Sequence, residues 1–268
     1  MPFGSPPVRI DSSSMEQMSV HPYLQTSGPI AIAHRGGALE TPENTREAFA
    51  HASALGYRYL ETDTHLTKDG VVVAFHDAEL DRVSSETGPI NTWTWADLQK
   101  VTLADGATMV SIEELLEEFP ESYFNIDVKS NEVVEPLLAV LDNQSAYERV
   151  CIGSFADARL AKVNKLRPDI ACTSFGPRGI LECVLASFGA PITLRAGLAL
   201  QLPPKLGLIP VLTPRLIDWA HSNDLFVHAW TIDDEAEMKR LLDLGIDGIM
   251  TDRPTLLKQV FSYRGLSL

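Results

Sequence analysis

Positive charge is scarce in this sequence: 22 Lys and Arg stand against 36 Asp and Glu, a net charge of −14. A chain this acidic is a poor non-specific binder of nucleic acid or anionic membrane, so neither is expected as a partner. If it handles phosphate, it must overcome its own negative field locally, with a bound cation or a few placed Lys and Arg. Cysteine is sparse too. Cys151, Cys172 and Cys183 form no CxxC pair, and an odd count argues against a disulfide framework. A reduced, cytoplasmic compartment is the expectation. No apolar run approaches the roughly 20 residues of a membrane span, so integral membrane association is not expected. Met1 to Gln25 is rich in Ser and Pro and lacks the apolar stretch of a signal peptide. Residues 1–27 are expected to be a poorly ordered leader. No GxGxxG opens the first helix, which disfavours an open dinucleotide-binding sheet. No internal repeat suggests a solenoid.

Apolar residues are plentiful: they make up 45% of 268 residues, enough for a large core and a normal length for one α/β barrel. From Gly28 onward, short apolar runs alternate with helical stretches, the pattern of a parallel sheet covered by helices. The first run is residues 30–33, followed by a helix over about 44–55, and the second is 57–64. Thr67-Lys-Asp-Gly70 then signals a turn, and residues 71–75 are β-branched and apolar. So short a connection can only join antiparallel strands, which makes 71–75 a return strand outside the barrel. Residues 78–109 lack periodicity and read as a small insertion over one end of the sheet. Ser111-Ile-Glu-Glu114 opens a helix with a capping pattern that stops before Pro120. Six further strands are read at 124–128, 150–153, 170–173, 197–202, 225–230 and 248–251. Eight βα units predict one α/β domain over 28–268, a (β/α)8 TIM barrel with an insertion after the second strand.

In this fold, active residues gather at the C-terminal ends of the strands. Those ends carry His34-Arg-Gly-Gly37, Glu61-Thr-Asp63, Asp127-Val-Lys129, Ser154, Trp230 and Asp252, and the return strand ends in His76-Asp77. Residues i and i+2 of a strand share a face, so Glu61 and Asp63 would point inward together. Their repulsion calls for a proton or a cation, and paired hard oxygens suit Mg²⁺ or Ca²⁺. Asp127 could complete such a set, with Lys129 on its own face. An isolated ExD is more often a pair of surface acids, and a lone histidine more often structural. Here both histidines emerge from buried strands at one rim. Two imidazoles on opposite sides of a phosphorus could remove one proton and deliver another. Arg35 could pair with two phosphate oxygens. Asn44 reads at least partly as a helix cap, and His228 as a core or supporting residue.

The ordered set His34-Arg-Gly-Gly, Pro42-Glu-Asn-Thr, Glu61-Thr-Asp, Thr67-Lys-Asp-Gly, His76-Asp, Asn125-Ile-Asp-Val-Lys, Ser154-Phe, Trp230-Thr and Gly248-Ile-Met-Thr-Asp-Arg-Pro resembles the glycerophosphodiester phosphodiesterase family over roughly residues 29–260. The resemblance implies hydrolysis of a small-molecule glycerophosphodiester to sn-glycerol 3-phosphate and an alcohol. It implies one divalent cation, Ca²⁺ or Mg²⁺, on Glu61, Asp63 and Asp127. His34 and His76 take the acid and base roles, Arg35 and Lys129 contact phosphate, and Trp230 shapes the substrate pocket. Similar sequences usually carry Glu where this one has Asp127, one methylene shorter. Three rival readings are a lysophospholipase D acting on lipid diesters, a barrel that binds phosphodiesters without cleaving them, and a phosphate-binding metabolic barrel such as an aldolase with Lys129 as its Schiff-base lysine, which would leave the histidine pair and Glu61-Thr-Asp63 unexplained. A long apolar groove would favour the first, and the Trp93/Trp95 insertion is the one place the sequence offers apolar cover. The oligomeric state is open, a homo-oligomer included.

Overall fold

Eight parallel strands wind in chain order around a common axis. The structure, a computed structural model, describes residues 20–268 except residue 169. The strands are Ile30–Ala33, Tyr59–Leu66, Tyr123–Val128, Val150–Gly153, Cys172–Thr173, Ala199–Leu202, Phe226–Ala229 and Gly248–Thr251. Neighbours in sequence are neighbours in the sheet, and the last strand pairs in parallel with the first. Between the fifth and sixth strands the ring is held by a parallel bridge of Ser174 to Ala199. Helices flank the ring, which makes it the expected TIM barrel.

The strands alternate between two environments. In the third strand, Phe124, Ile126 and Val128 face outward into the apolar layer under the helices. Tyr123 belongs instead to a separate interior cluster with Tyr23, Ile32, Tyr59 and Met250. Registered pairs across the second and third strands climb the interior from Tyr59 and Tyr123, through Glu61 and Asn125, to Asp63 and Asp127. A period of two thus stacks aromatics at the bottom of the barrel and acids at the top.

Helix ends follow the local sequence. Thr45, not Asn44, caps helix Arg46–Leu55, accepting from the Ala48 amide. Ser111 and Glu114 form the expected capping box of helix Ile112–Glu118. The return strand, Val72–Ala74, runs antiparallel to the end of the second strand, as the short turn required. The segment after it forms a second core with Val73 of that strand, in which Phe75, Leu80, Ile90, Leu98 and Met109 are also buried. Trp93 and Trp95 pack against that core.

Most of the expected leader lies outside the described residues. Its last part is corrected: Pro22–Leu24 forms a 3-10 turn in which Tyr23 and Leu24 are buried. Tyr23 meets Tyr59 edge-on at 5.2 Å, closing the bottom of the barrel. Among the described residues, no helix is long and apolar enough to cross a membrane.

Candidate active site

Where the first strand ends, the chain turns sharply through His34, Arg35 and Gly36. Gly36 and Gly37 have φ of +80° and +108°, the left-handed region that disfavours side chains. A methyl group on Gly36 would sit 2.6 Å from the Ala48 Cβ, and one on Gly37 2.6 Å from Pro254. The glycines therefore let this loop press against two helices, which fixes the direction of His34.

His34 Nδ1 donates to Asp252 Oδ1 at 2.7 Å, and its Nε2 lies 3.7 Å from Glu61 Oε2. His76 Nδ1 donates to Asp77 Oδ1 at 2.6 Å, and Asp77 in turn accepts from Arg82. Each imidazole thus has one nitrogen committed to a carboxylate and the other, Nε2, left for chemistry. His65, which matched no motif, donates through Nε2 to the His76 carbonyl at 3.1 Å. Burial works against the charged form of His34, yet the Glu61 and Asp252 carboxylates outweigh it and raise its pKa.

The three acids do meet in one cavity, together with both histidines, Arg35, Lys129 and Trp230. All eight residues expected at the site line this one cavity of about 510 Å³. The charges are tightly matched. Lys129 Nζ sits 2.7 Å from Asp63 and 2.6 Å from Asp127. Arg35 bridges Glu43 at 3.1 Å and Asp63 at 3.2 Å. Burial favours the neutral form of Asp63, but Lys129 and Arg35 hold its pKa below the usual carboxylate range. Glu61 has no such cation. Burial, and next the charge of Asp63, push its pKa up to about 7.

Among the described residues, no group of three His, Cys, Asp or Glu side chains is set out as a ready metal cage. The Lys129 ammonium stands between Asp63 and Asp127. The donor chemistry nonetheless suits a hard cation. Asp127 Oδ1 is buried without a hydrogen-bond partner, and burial beside Asp63 disfavours the charged form of Glu61, which a bound cation would restore.

Four residues outside the expected set complete the cluster. Asn44, with φ of +56°, donates to Asp63 and accepts from Thr62 instead of capping its helix. Asp252 orients His34. Glu43 accepts from both Arg35 and Arg82, linking the first-strand loop to the insertion. Phe155 meets Trp230 edge-on at 5.4 Å, with Lys129 Nζ 5.6 Å from its ring. Asp252 and Phe155 stand in or beside strand-end motifs, and Glu43 and Asn44 in Pro42-Glu-Asn-Thr, which was the available signal. Trp93 and Trp95 are not part of the cavity wall.

A family model described as the glycerophosphoryl diester phosphodiesterase family matches residues 34–256. The chain belongs to that enzyme family. The glycerophosphodiester phosphodiesterase assignment rests on relatives as well as motifs. The chain is 36% identical over 252 residues to "Probable glycerophosphodiester phosphodiesterase 2" of Mycobacterium tuberculosis, covering 91% of this chain and 94% of that protein. It is 30% identical over 242 residues to a glycerophosphodiester phosphodiesterase of Caldanaerobacter subterraneus, covering 85% and 96%. It also resembles a phosphodiesterase of Oleispira antarctica solved in complex with the product sn-glycerol-3-phosphate. That likeness has a TM-score of 0.73 at 21% identity, covers 87% of this chain and 97% of the other, and bears on the fold alone.

Proposed function

We propose that the chain hydrolyses glycerophosphodiesters to sn-glycerol 3-phosphate and an alcohol through acid–base catalysis by His34 and His76. The observation that carries this reading is the pair of carboxylate-held imidazoles lining one cavity with Lys129 and Arg35. With Nδ1 committed, Nε2 of one histidine removes a proton from the attacking oxygen. Nε2 of the other protonates the departing alkoxide. Asp252 and Asp77 keep the reactive nitrogens oriented and stabilise each imidazolium as it forms. Lys129 and Arg35 balance the charge that develops on the phosphoryl oxygens.

Glu61, Asp63 and Asp127 would hold one divalent cation, Ca²⁺ or Mg²⁺, which when bound supplies Lewis acidity to a non-bridging phosphate oxygen. Asp127 is one methylene shorter than a glutamate, and its Oδ2 is engaged by Lys129, so its orphan Oδ1 is the atom that remains for this task. Residues 28–268 act as a single barrel domain carrying the insertion. The three free, buried cysteines suit a reducing, cytoplasmic setting.

The test is release of sn-glycerol 3-phosphate from glycerophosphocholine, with His34→Ala and His76→Ala beside the wild type. Each variant is expected to lose about 10²-fold or more in kcat while its circular dichroism is unchanged. Near-normal turnover in either variant defeats the assignment.

A further inference from the structure

His76 stands more open than His34. Its side chain is 32% exposed, against 15%, so packing alone does not fix the ring. The contact of its carbonyl with His65 Nε2 holds the backbone but leaves the ring free to turn. The ring is fixed instead at Nδ1, which donates to Asp77 Oδ1 at 2.6 Å. Asp77 is itself partly exposed and needs a hold of its own. Arg82 supplies it, donating from Nε to Asp77 Oδ2 at 2.5 Å. The same guanidinium donates from Nη1 and Nη2 to the two oxygens of Glu43, at 2.8 and 2.7 Å. Glu43 Oε1 in turn accepts from Arg35 Nη1 at 3.1 Å. Arg82, Asp77 and Glu43 all lie outside the cavity wall.

Charge alternates along this path from Asp63 through Arg35, Glu43, Arg82 and Asp77, and the His76 imidazolium completes the series. Burial opposes the charge of Glu43, but Arg82 and Arg35 hold its pKa below the usual carboxylate range. Burial opposes the charge of Asp77 as well, and Arg82 and His76 hold its pKa down in the same way. Arg82 therefore stays between two anions. The residue type matters here, because a planar fork donates in three directions where a lysine ammonium is a single point charge. Its backbone lies in a turn between Leu80, buried in the second core, and Val83, packed against it. We propose that Arg82 is a positioning residue for the hydrolysis, tying His76 through Asp77 to Arg35 through Glu43. The acid–base group and the phosphate-binding group, carried on different elements, are thereby kept in register. The insertion thus serves turnover without touching the substrate. This role rests on the phosphodiesterase reading. Arg82 is 47% exposed, so its pairs add little to stability and its replacement leaves the fold in place.

The experiment measures kcat and KM on glycerophosphocholine, with divalent cation supplied, for the wild type, Arg82→Ala and Arg82→Lys. Arg82→Ala is expected to lower kcat about 10-fold to 10²-fold, as a misdirected imidazole would, while KM changes by no more than about threefold. Circular dichroism and the thermal midpoint should stay near those of the wild type. Should the alanine variant fail to fold, Arg82→Gln is expected to show the same loss. Arg82→Lys reaches one carboxylate at a time and is expected to recover at most about half of the lost kcat. In the Asp77→Asn/Glu43→Gln background, where both partners are already changed, adding Arg82→Ala should cost no more than about threefold. An Arg82→Ala variant that keeps more than about half of the wild-type kcat overturns the proposal and leaves the phosphodiesterase reading intact. A loss carried by KM alone overturns it too, since that marks a substrate contact. Full recovery in Arg82→Lys, or a full further loss in the background lacking both partners, overturns it equally. Failure of the wild type to release sn-glycerol 3-phosphate overturns that reading and the proposal together.

Discussion

His228 offers a direct test of the charge arrangement inside the barrel. It lies in the seventh strand, 1% exposed, with Gln201 Nε2 as a weak contact at 3.4 Å from its Nδ1. Burial pushes its pKa from the usual value near 6.5 down to about 4. The folded protein therefore keeps this imidazole neutral where the unfolded chain would protonate it. The unfolded state binds the extra proton, so stability is intact above about pH 6.5 and is lost as pH falls toward 4. A gap of about 2.5 between the two values corresponds to about 3 kcal/mol when the loss is complete. At about pH 5, roughly 2 kcal/mol of it is already gone. Urea unfolding of the wild type and of His228→Gln, at about pH 7.5 and again at about pH 5, isolates the term. Other titrating groups contribute equally to both proteins. The glutamine variant is expected to lose about 2 kcal/mol less across that interval. An identical loss in the two proteins would refute the idea that this histidine is held neutral.

Three further outcomes follow from the site and the barrel. Asp252→Asn keeps the shape of the His34 contact but removes the charge that orients and stabilises its imidazolium, so kcat should fall about 10²-fold or more with little change in KM, read from steady-state kinetics. Exhaustive chelation with EDTA should silence hydrolysis, and added Ca²⁺ or Mg²⁺ should restore it; full activity after chelation removes the cation from the scheme. Gly248→Ala would place its methyl 2.8 Å from the His228 ring and 2.9 Å from Ile30, so thermal unfolding should show a loss of about 1–3 kcal/mol.

The barrel was legible because its strands are short apolar runs buried on both faces, a pattern that a surface strand does not produce. The first, fourth and eighth strands begin and end where the sequence places them. The fifth is shorter, since Ile170 is 46% exposed and outside the sheet. The second runs on to Leu66 because the return strand pairs with it, an extension set by tertiary contact. Strand-end position likewise exposed the eight candidate site residues. What those residues spend on one another was not legible. The contact of His34 with Asp252 spans 218 positions, and the seat of Lys129 between two acids depends on side-chain reach. Asn44 and Thr45 are both good caps, and only the left-handed backbone at Asn44 turns its amide toward Asp63. That Ile180 and Val184 line the cavity escaped notice because their i, i+4 spacing is that of ordinary core packing.

The insertion's independent core has a consequence for how the enzyme would fail. His34 is anchored to the barrel, whereas His76 follows Phe75, which is buried in the other core. The two are joined by the pairing of the return strand with the second strand, by the Phe75 amide donating to the Asp63 carbonyl, and by the partly exposed ion pair of Glu43 and Arg82, the weakest of these. Heat or mild denaturant that loosens the smaller core would unseat Phe75 and misplace the imidazole of His76 while the larger ring stands. Loss of turnover would then precede loss of helical signal, and the durability of the catalyst would be set by the lesser of its two cores.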